Sequence, residues 1–184
     1  MKIEHEIEVA KPLPMVWGFF QDIPSVVQCM PGAELTEDKG DGVYAGKISV
    51  KLGPLSANFD GEATIAPDPD ARSATITGKG VDRRGGSRGR MTVEYQLRET
   101  EGGTGVKIEA NVSLAGAVAQ FGRSGLIKEI SNRLIGEFAE CLEGKLSAVT
   151  VEEAAQVQAG EVRGIALFFQ TLGSRIKGLF SRSR

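Results

Sequence analysis

Only one histidine, one tryptophan and two cysteines occur in the 184 residues. With His5 alone, no His-dependent triad, imidazole metal cluster or two-histidine proton relay can be assembled. Nucleophile motifs, phosphate loops and metal-ligand spacings are missing too. Gly78-Lys79-Gly80-Val81-Asp82 has closely spaced glycines, but it falls late in a strand pattern with no helix after it. Cys29 and Cys141 stand far apart, outside any metal or redox spacing, so two buried or half-buried thiols in a reducing compartment are expected. No apolar run nears the roughly 18 residues needed to span a bilayer. The charges alternating through MKIEHEIEVA are incompatible with a signal-peptide core. These absences predict a chain made and kept in the cytoplasm.

What is present suits a folded protein. A hydrophobic share of 41% and a charged share of 25% allow a real core. The length fits one domain with an appendage. Net charge is −2, but it is unevenly spread. Residues 162–184 hold five bases (Arg163, Arg175, Lys177, Arg182, Arg184) and no acid. Removing those from the 22 Lys and Arg leaves 17 against 24 Asp and Glu, a net of −7 for residues 1–161. An acidic body with a basic tail signals a partner for the tail.

Lys2 to Val9 alternates, with Ile3, His5, Ile7 and Val9 on one face, which predicts a half-buried strand. Pro12 and Pro14 suit the first turn of a short helix carrying Val16, Trp17, Phe19 and Phe20. A second short helix runs from Ser25 to Cys29. Between Ala33 and Leu114 the period is two, and Gly, Pro and Asp punctuate it into six strands. These are Ala33–Glu37, Val43–Leu52, Leu55–Ala66, Ser73–Val81, Arg88–Glu99 and Gly105–Leu114. With the first, they make a seven-stranded antiparallel meander. From Ala117 to Val149, Ile127, Ile130, Leu134, Phe138, Cys141 and Leu142 recur at helical spacing. That predicts one long amphipathic helix, with Gly122 and Gly125 as candidate kinks. The order describes an α+β fold in which a curved sheet wraps a long C-terminal helix.

The inward parity of the strands is rich in small residues: Gly46, Ala57, Gly61, Ala63, Ala74, Gly78, Gly80 and Ala110. A sheet facing one helix needs large side chains to reach interior density. Two readings remain at this point. The small residues leave an apolar cavity for a small molecule, or they permit close helix docking and strand bends. His5 likewise is either a satisfied core histidine or a polar contact to a bound ligand. The stretch from Asp82 to Arg90 is basic and glycine-rich; it reads as a solvated turn, or as a cationic docking loop or pocket lip. Nucleic acid is disfavoured, because the body is acidic and no aromatic-basic stripe interleaves on a strand.

After a polar linker over 150–162, an apolar face recurs at helical spacing: Ile165, Phe168, Phe169, Leu172, Ile176, Leu179 and Phe180. Arg175 and Lys177 flank it. An aromatic apolar face with cations and no acids is the composition of an interfacial helix, so residues 163–184 are expected to hold the chain at a membrane surface. Packing of that helix on its own domain or on a partner protein is the alternative.

Several short motifs occur together and in order. They are Ala10-Lys11-Pro12 with Val16-Trp17, Cys29-Met30-Pro31-Gly32-Ala33-Glu34, Lys51-Leu52-Gly53-Pro54 and Phe59-Asp60-Gly61. Gly78-x-Gly80-x-Asp82, Gly86-Ser87-Arg88 and Ala119-Gln120-Phe121-Gly122-Arg123 follow. Over residues 1 to about 148 the chain resembles the carbon monoxide dehydrogenase CoxG family, of the START/Bet v 1-like (SRPBCC) superfamily. The resemblance implies a helix-grip domain over 1–149 with a hydrophobic cavity, and association with a molybdenum-containing carbon monoxide dehydrogenase or a related hydroxylase. It also implies recruitment of that enzyme to the inner face of the cell membrane and handling of a respiratory quinone, menaquinone or ubiquinone, with no covalent cofactor. On that reading the isoprenoid chain lies between sheet and final helix. Face parity nominates Phe19, Phe20, Phe59, Tyr95, Phe121, Ile127, Leu134 and Phe138 as lining, with His5. A polyketide-cyclase-like enzyme would need acid/base groups in the cavity, for which His5, Tyr44 and Tyr95 are the candidates. An assembly factor for the dehydrogenase would need no lipid.

Overall fold

The computed structural model describes residues 1–52, 55–123, 126–148 and 157, with only the backbone at 52, 55, 120–123 and 126–127. The elements in order are β1 (Lys2–Val9), α1 (Leu13–Gln21), α2 (Ile23–Gln28), β2 (Ala33–Gly40), β3 (Val43–Leu52) and β4 (Leu55–Asp68). Then come β5 (Ser73–Asp82), β6 (Ser87–Thr100), β7 (Gly103–Ala115), a 3-10 segment (Gly116–Arg123) and α3 (Leu126–Ser147). The seven strands form one antiparallel sheet in the order β1-β7-β6-β5-β4-β3-β2. The meander and the first strand are as the alternation predicts. Strand ends differ by one to three residues.

The short helices follow from local chemistry. Pro12 caps α1 and a second proline stands in its first turn, where a missing N–H leaves nothing unpaired. α1 buries Val16, Phe19 and Phe20. Asp22 starts α2 by accepting from the Ser25 amide (3.4 Å) and hydroxyl (2.7 Å).

Two expectations are corrected. The stretch after β7 is not one helix: residues 116–123 form the 3-10 segment and α3 starts only at Leu126. Gly116 adopts φ +78°, and a Cβ there would stand 2.3 Å from the Gly86 carbonyl oxygen. Beside it, the buried Ser87 hydroxyl accepts from the Val118 amide at 3.4 Å. The segment is thus seated on the β5–β6 turn, and that docking overrides the helical periodicity. The second correction concerns the thiols. Cys29 and Cys141 form a disulfide, with Cα atoms 5.4 Å apart. Their separation of 112 positions carries no hint of spatial proximity.

The core divides in two. The larger cluster joins α1, the C-terminal half of α3 and one end of the sheet through Val9, Val16, Phe20, Tyr95, Phe138 and Leu142, among others. Val157 packs against it. The smaller cluster pairs Ala57 with Val118, flanked by Val50, Phe59, Leu114 and Ile130. α3 lies chiefly along β1, α1 and the 3-10 segment. The rest of the linker and the whole tail, with Ile165, Phe168, Phe169, Leu172, Arg175, Ile176, Lys177, Leu179 and Phe180, lie outside the described residues.

Candidate functional site

Strand register arranges the inward residues in rows running across the sheet. One row is Leu35, Gly46, Gly61, Gly80, Gly89 and Leu114, a glycine on each of four adjacent strands. The next is Tyr44, Ala63, Gly78, Met91 and Val112. Beyond it Val93 pairs with Ala110, and then Tyr95 with Ile108 and Ile108 with His5.

The glycines do two different things. A Cβ at Gly61 would sit 2.4 Å from the Lys79 carbonyl oxygen, and one at Gly46 2.7 Å from that of Glu34. No side chain fits there, so these two serve the close approach of neighbouring backbones in a bent sheet. Gly80 and Gly89 concede room to a neighbour. Phe59 lies over both, its nearest atoms 3.2 and 3.8 Å from their Cβ positions. Met91 covers Gly78 in the same way, at 2.9 Å. Much of the sequence's smallness therefore serves strand bending and side-chain overlap, not empty volume.

The open part is the row between the clusters. Tyr44, Ala63, Met91, Val93, Ala110 and Val112 point to the concave side and belong to neither packed cluster among the described residues. Met91 is 41% exposed there, a large apolar side chain on the face that should be a core. An uncovered apolar strip between two packed ends is where an apolar guest would gain most from burial.

The nominated lining residues divide accordingly. Phe19, Phe20, Tyr95 and Phe138 come together, with Phe20 and Tyr95 rings at 4.6 Å, Phe20 and Phe138 at 5.9 Å and Phe19 and Phe138 at 6.4 Å. They pack on one another and close one end of the strip. Phe59 belongs to the smaller cluster at the other end. Leu134 is half-buried on α3. The side chains of Phe121 and Ile127 lie outside the described ones. Met91, Val93 and Val112 are lining residues that a preference for aromatics misses; the parity of their strands is the signal that finds them.

Two polar groups face this side. His5 Nε2 is buried and has no hydrogen-bond partner among the described residues. A buried unpaired ring nitrogen costs about 1–3 kcal/mol, which a ligand oxygen or a water would recover. Tyr95 is 5% exposed, and burial pushes its phenol above the ordinary value, while a Gln21 hydrogen bond pulls the other way. It is a neutral donor at any physiological pH. Among the described residues, no group of three or more His, Cys, Asp or Glu is placed to hold a metal ion. The outer face of the sheet carries two open depressions of about 410 and 320 Å³, which share Glu62, Lys79 and Arg90.

Residues 6–147 match the model of the carbon monoxide dehydrogenase CoxG family. The chain belongs to the CoxG family. No curated protein matches its sequence. Among solved structures it is similar to a conserved protein from Geobacillus kaustophilus, with TM-score 0.71 and 15% identity over 80% of this chain and 95% of that one. It is also similar to the Zhui aromatase/cyclase from Streptomyces, with TM-score 0.56 and 16% identity over 88% and 99%. A STAR-related lipid transfer protein fragment from Xanthomonas axonopodis matches with TM-score 0.55 and 16% identity over 76% and 84%. At these identities the likenesses establish the fold, which is the START/Bet v 1-like helix-grip. The CoxG membership and this fold agree with a hydrophobic-ligand-binding role. No helix among the described residues is long and apolar enough to cross a membrane.

Proposed function

We propose that this CoxG protein is a carrier that binds a respiratory quinone, menaquinone or ubiquinone, and presents it to a molybdenum-containing carbon monoxide dehydrogenase at the membrane. The observation that carries the reading is the apolar strip, with Met91 41% exposed on the concave side between two packed clusters. A flat ring with an isoprenoid chain would replace water along Val93, Ala110 and Val112. The unpartnered His5 Nε2 supports the same reading, because a quinone carbonyl accepts a hydrogen bond from an imidazole N–H. Nothing in this role asks the protein for acid/base chemistry; the dehydrogenase would supply the electrons.

The family description supports the partner. The basic amphipathic segment 163–184 supports the location, peripheral on the inner face of the cell membrane. The disulfide sets a condition on that location, since a reducing cytoplasm opens accessible bonds. Cys29 is 0% and Cys141 5% exposed, so the bond is shielded from a soluble reductant.

Organic extraction of the purified full-length chain is expected to release a quinone identifiable by chromatography. Quinone-loaded chain should then be reduced by the dehydrogenase and carbon monoxide. An extract without quinone, together with no uptake from quinone-loaded vesicles, would refute the carrier reading.

A further inference from the structure

Arg83, Arg84, Arg88 and Arg90 lie on and beside the β5–β6 turn, all exposed and none in an ion pair among the described residues. Their arrangement works against stability. Arg90 stands directly opposite Lys79 across the ladder, and like charges so placed repel. Glu62, which pairs with Lys79 at 3.3 Å, is already shared with Lys39. The acid nearest the turn does not compensate either. Asp82 is 4% exposed, and its carboxylate is turned onto the Arg84 and Gly85 amides at 3.1 and 2.9 Å. Val81, directly opposite Arg88, exposes 42% of its surface amid these cations.

We propose that this hairpin and the adjoining outer face of β5 and β6 form a docking surface for an anionic lipid bilayer, one that fixes how the domain sits on the membrane. Charge complementarity selects the occupant. Residues 1–161 carry a net of −7, so an anionic leaflet repels the body as a whole. The hairpin is the place where that repulsion reverses. Along β6 the outward Arg88 and Arg90 alternate with the inward Gly89 and Met91. Cations on one side of the strand thus hold the edge of the apolar strip on its other side against the headgroups. The orientation deepens the carrier reading, although the docking surface itself does not depend on it.

The test uses the full chain, tail included, and vesicles of phosphatidylcholine with or without phosphatidylglycerol. Arg83→Glu/Arg84→Glu is compared with Lys2→Glu/Lys107→Glu, which makes the same charge change at the β1–β7 edge. Both variants are first shown by thermal melting to be folded. Reversing two cations at an anionic surface should weaken cosedimentation roughly 25-fold or more in the hairpin variant. The edge variant should bind like wild type, and neutral vesicles should not separate the three. Equal binding by both variants would overturn the proposal, because the tail alone would then account for the membrane. Unchanged vesicle binding with loss of dehydrogenase binding would also overturn it, and would assign the hairpin to an acidic protein surface. If quinone extraction fails while the vesicle difference holds, the carrier reading falls and the docking surface stands.

Discussion

Cys29, the C-cap of α2, and Cys141, on the inner side of α3, are joined by a disulfide that spans 112 positions of chain. Close by, the Lys145 ammonium donates to the Gln28 side-chain oxygen at 2.7 Å. Together they pin the C-terminal half of α3 to the α1–α2 segment, where the larger core cluster lies.

A cross-link of that span removes much of the unfolded chain's freedom, about 4 kcal/mol in the loop-entropy picture. Cys29→Ser/Cys141→Ser should therefore unfold at a clearly lower urea concentration than the oxidised wild type. Intact-mass analysis should find no alkylatable thiol in the wild type until it is unfolded with reductant. Free thiols in the folded, unreduced chain would contradict the pairing.

The two classes of glycine make opposite predictions. Gly61→Ala forces a Cβ to within 2.4 Å of the Lys79 carbonyl oxygen and should destabilise by about 1–3 kcal/mol. Gly89→Ala meets only side-chain atoms, at 3.6 and 3.8 Å, and should be neutral or stabilise by up to about 1 kcal/mol. Urea midpoints of the two variants decide it; equal effects would remove the distinction.

Ser87 holds the 3-10 segment on the β5–β6 turn. Ser87→Ala leaves the buried Val118 amide without its acceptor and should destabilise by about 1–3 kcal/mol. Hydrogen exchange at Val118 should quicken more than at the amides of β1. Unchanged protection there would place the anchor elsewhere.

Stability should form a plateau in pH with two separate limbs. Hydrogen bonds from Lys107 and Lys2 hold the Glu109 carboxyl below 4.5. That contribution is present above the unfolded value and is lost as pH falls through the folded one. Tyr95 has the opposite sign. Burial holds its phenol above 10.0, so its contribution is present below that value and is lost as pH rises through the folded one. Urea unfolding across pH should show the acid limb shrinking in high salt, because the Glu109 pairs face solvent. Tyr95→Phe should remove part of the alkaline limb. A salt-independent acid limb would argue against these pairs as its source.

Period-two alternation made the seven strands legible, since each strand has one wet and one dry face and register follows from it. The aromatic cluster was legible for the same reason: Phe19, Phe20 and Phe138 lie on the apolar faces of their helices and Tyr95 has inward parity. The disulfide was not, because proximity between α2 and α3 is a property of the closed fold and not of spacing. Nor was the 3-10 segment, whose apolar residues keep a helical rhythm while Gly116 and Ser87 decide its path. The glycines misled in part. Composition cannot tell a glycine that makes space from one that lets two backbones approach; that distinction appeared only with the positions of the Lys79 and Glu34 carbonyls and of the Phe59 ring.

The decisive measurement is uptake of a quinone by the wild type and by Met91→Trp, followed by native mass spectrometry on the full chain. Met91 is 41% exposed, so an indole there has room to lie along the strip without unfolding the sheet. The wild type should acquire the mass of one quinone, and the folded tryptophan variant should acquire little or none. A wild type that stays empty, or a Met91→Trp chain that loads as fully as the wild type, would show that no guest occupies this strip.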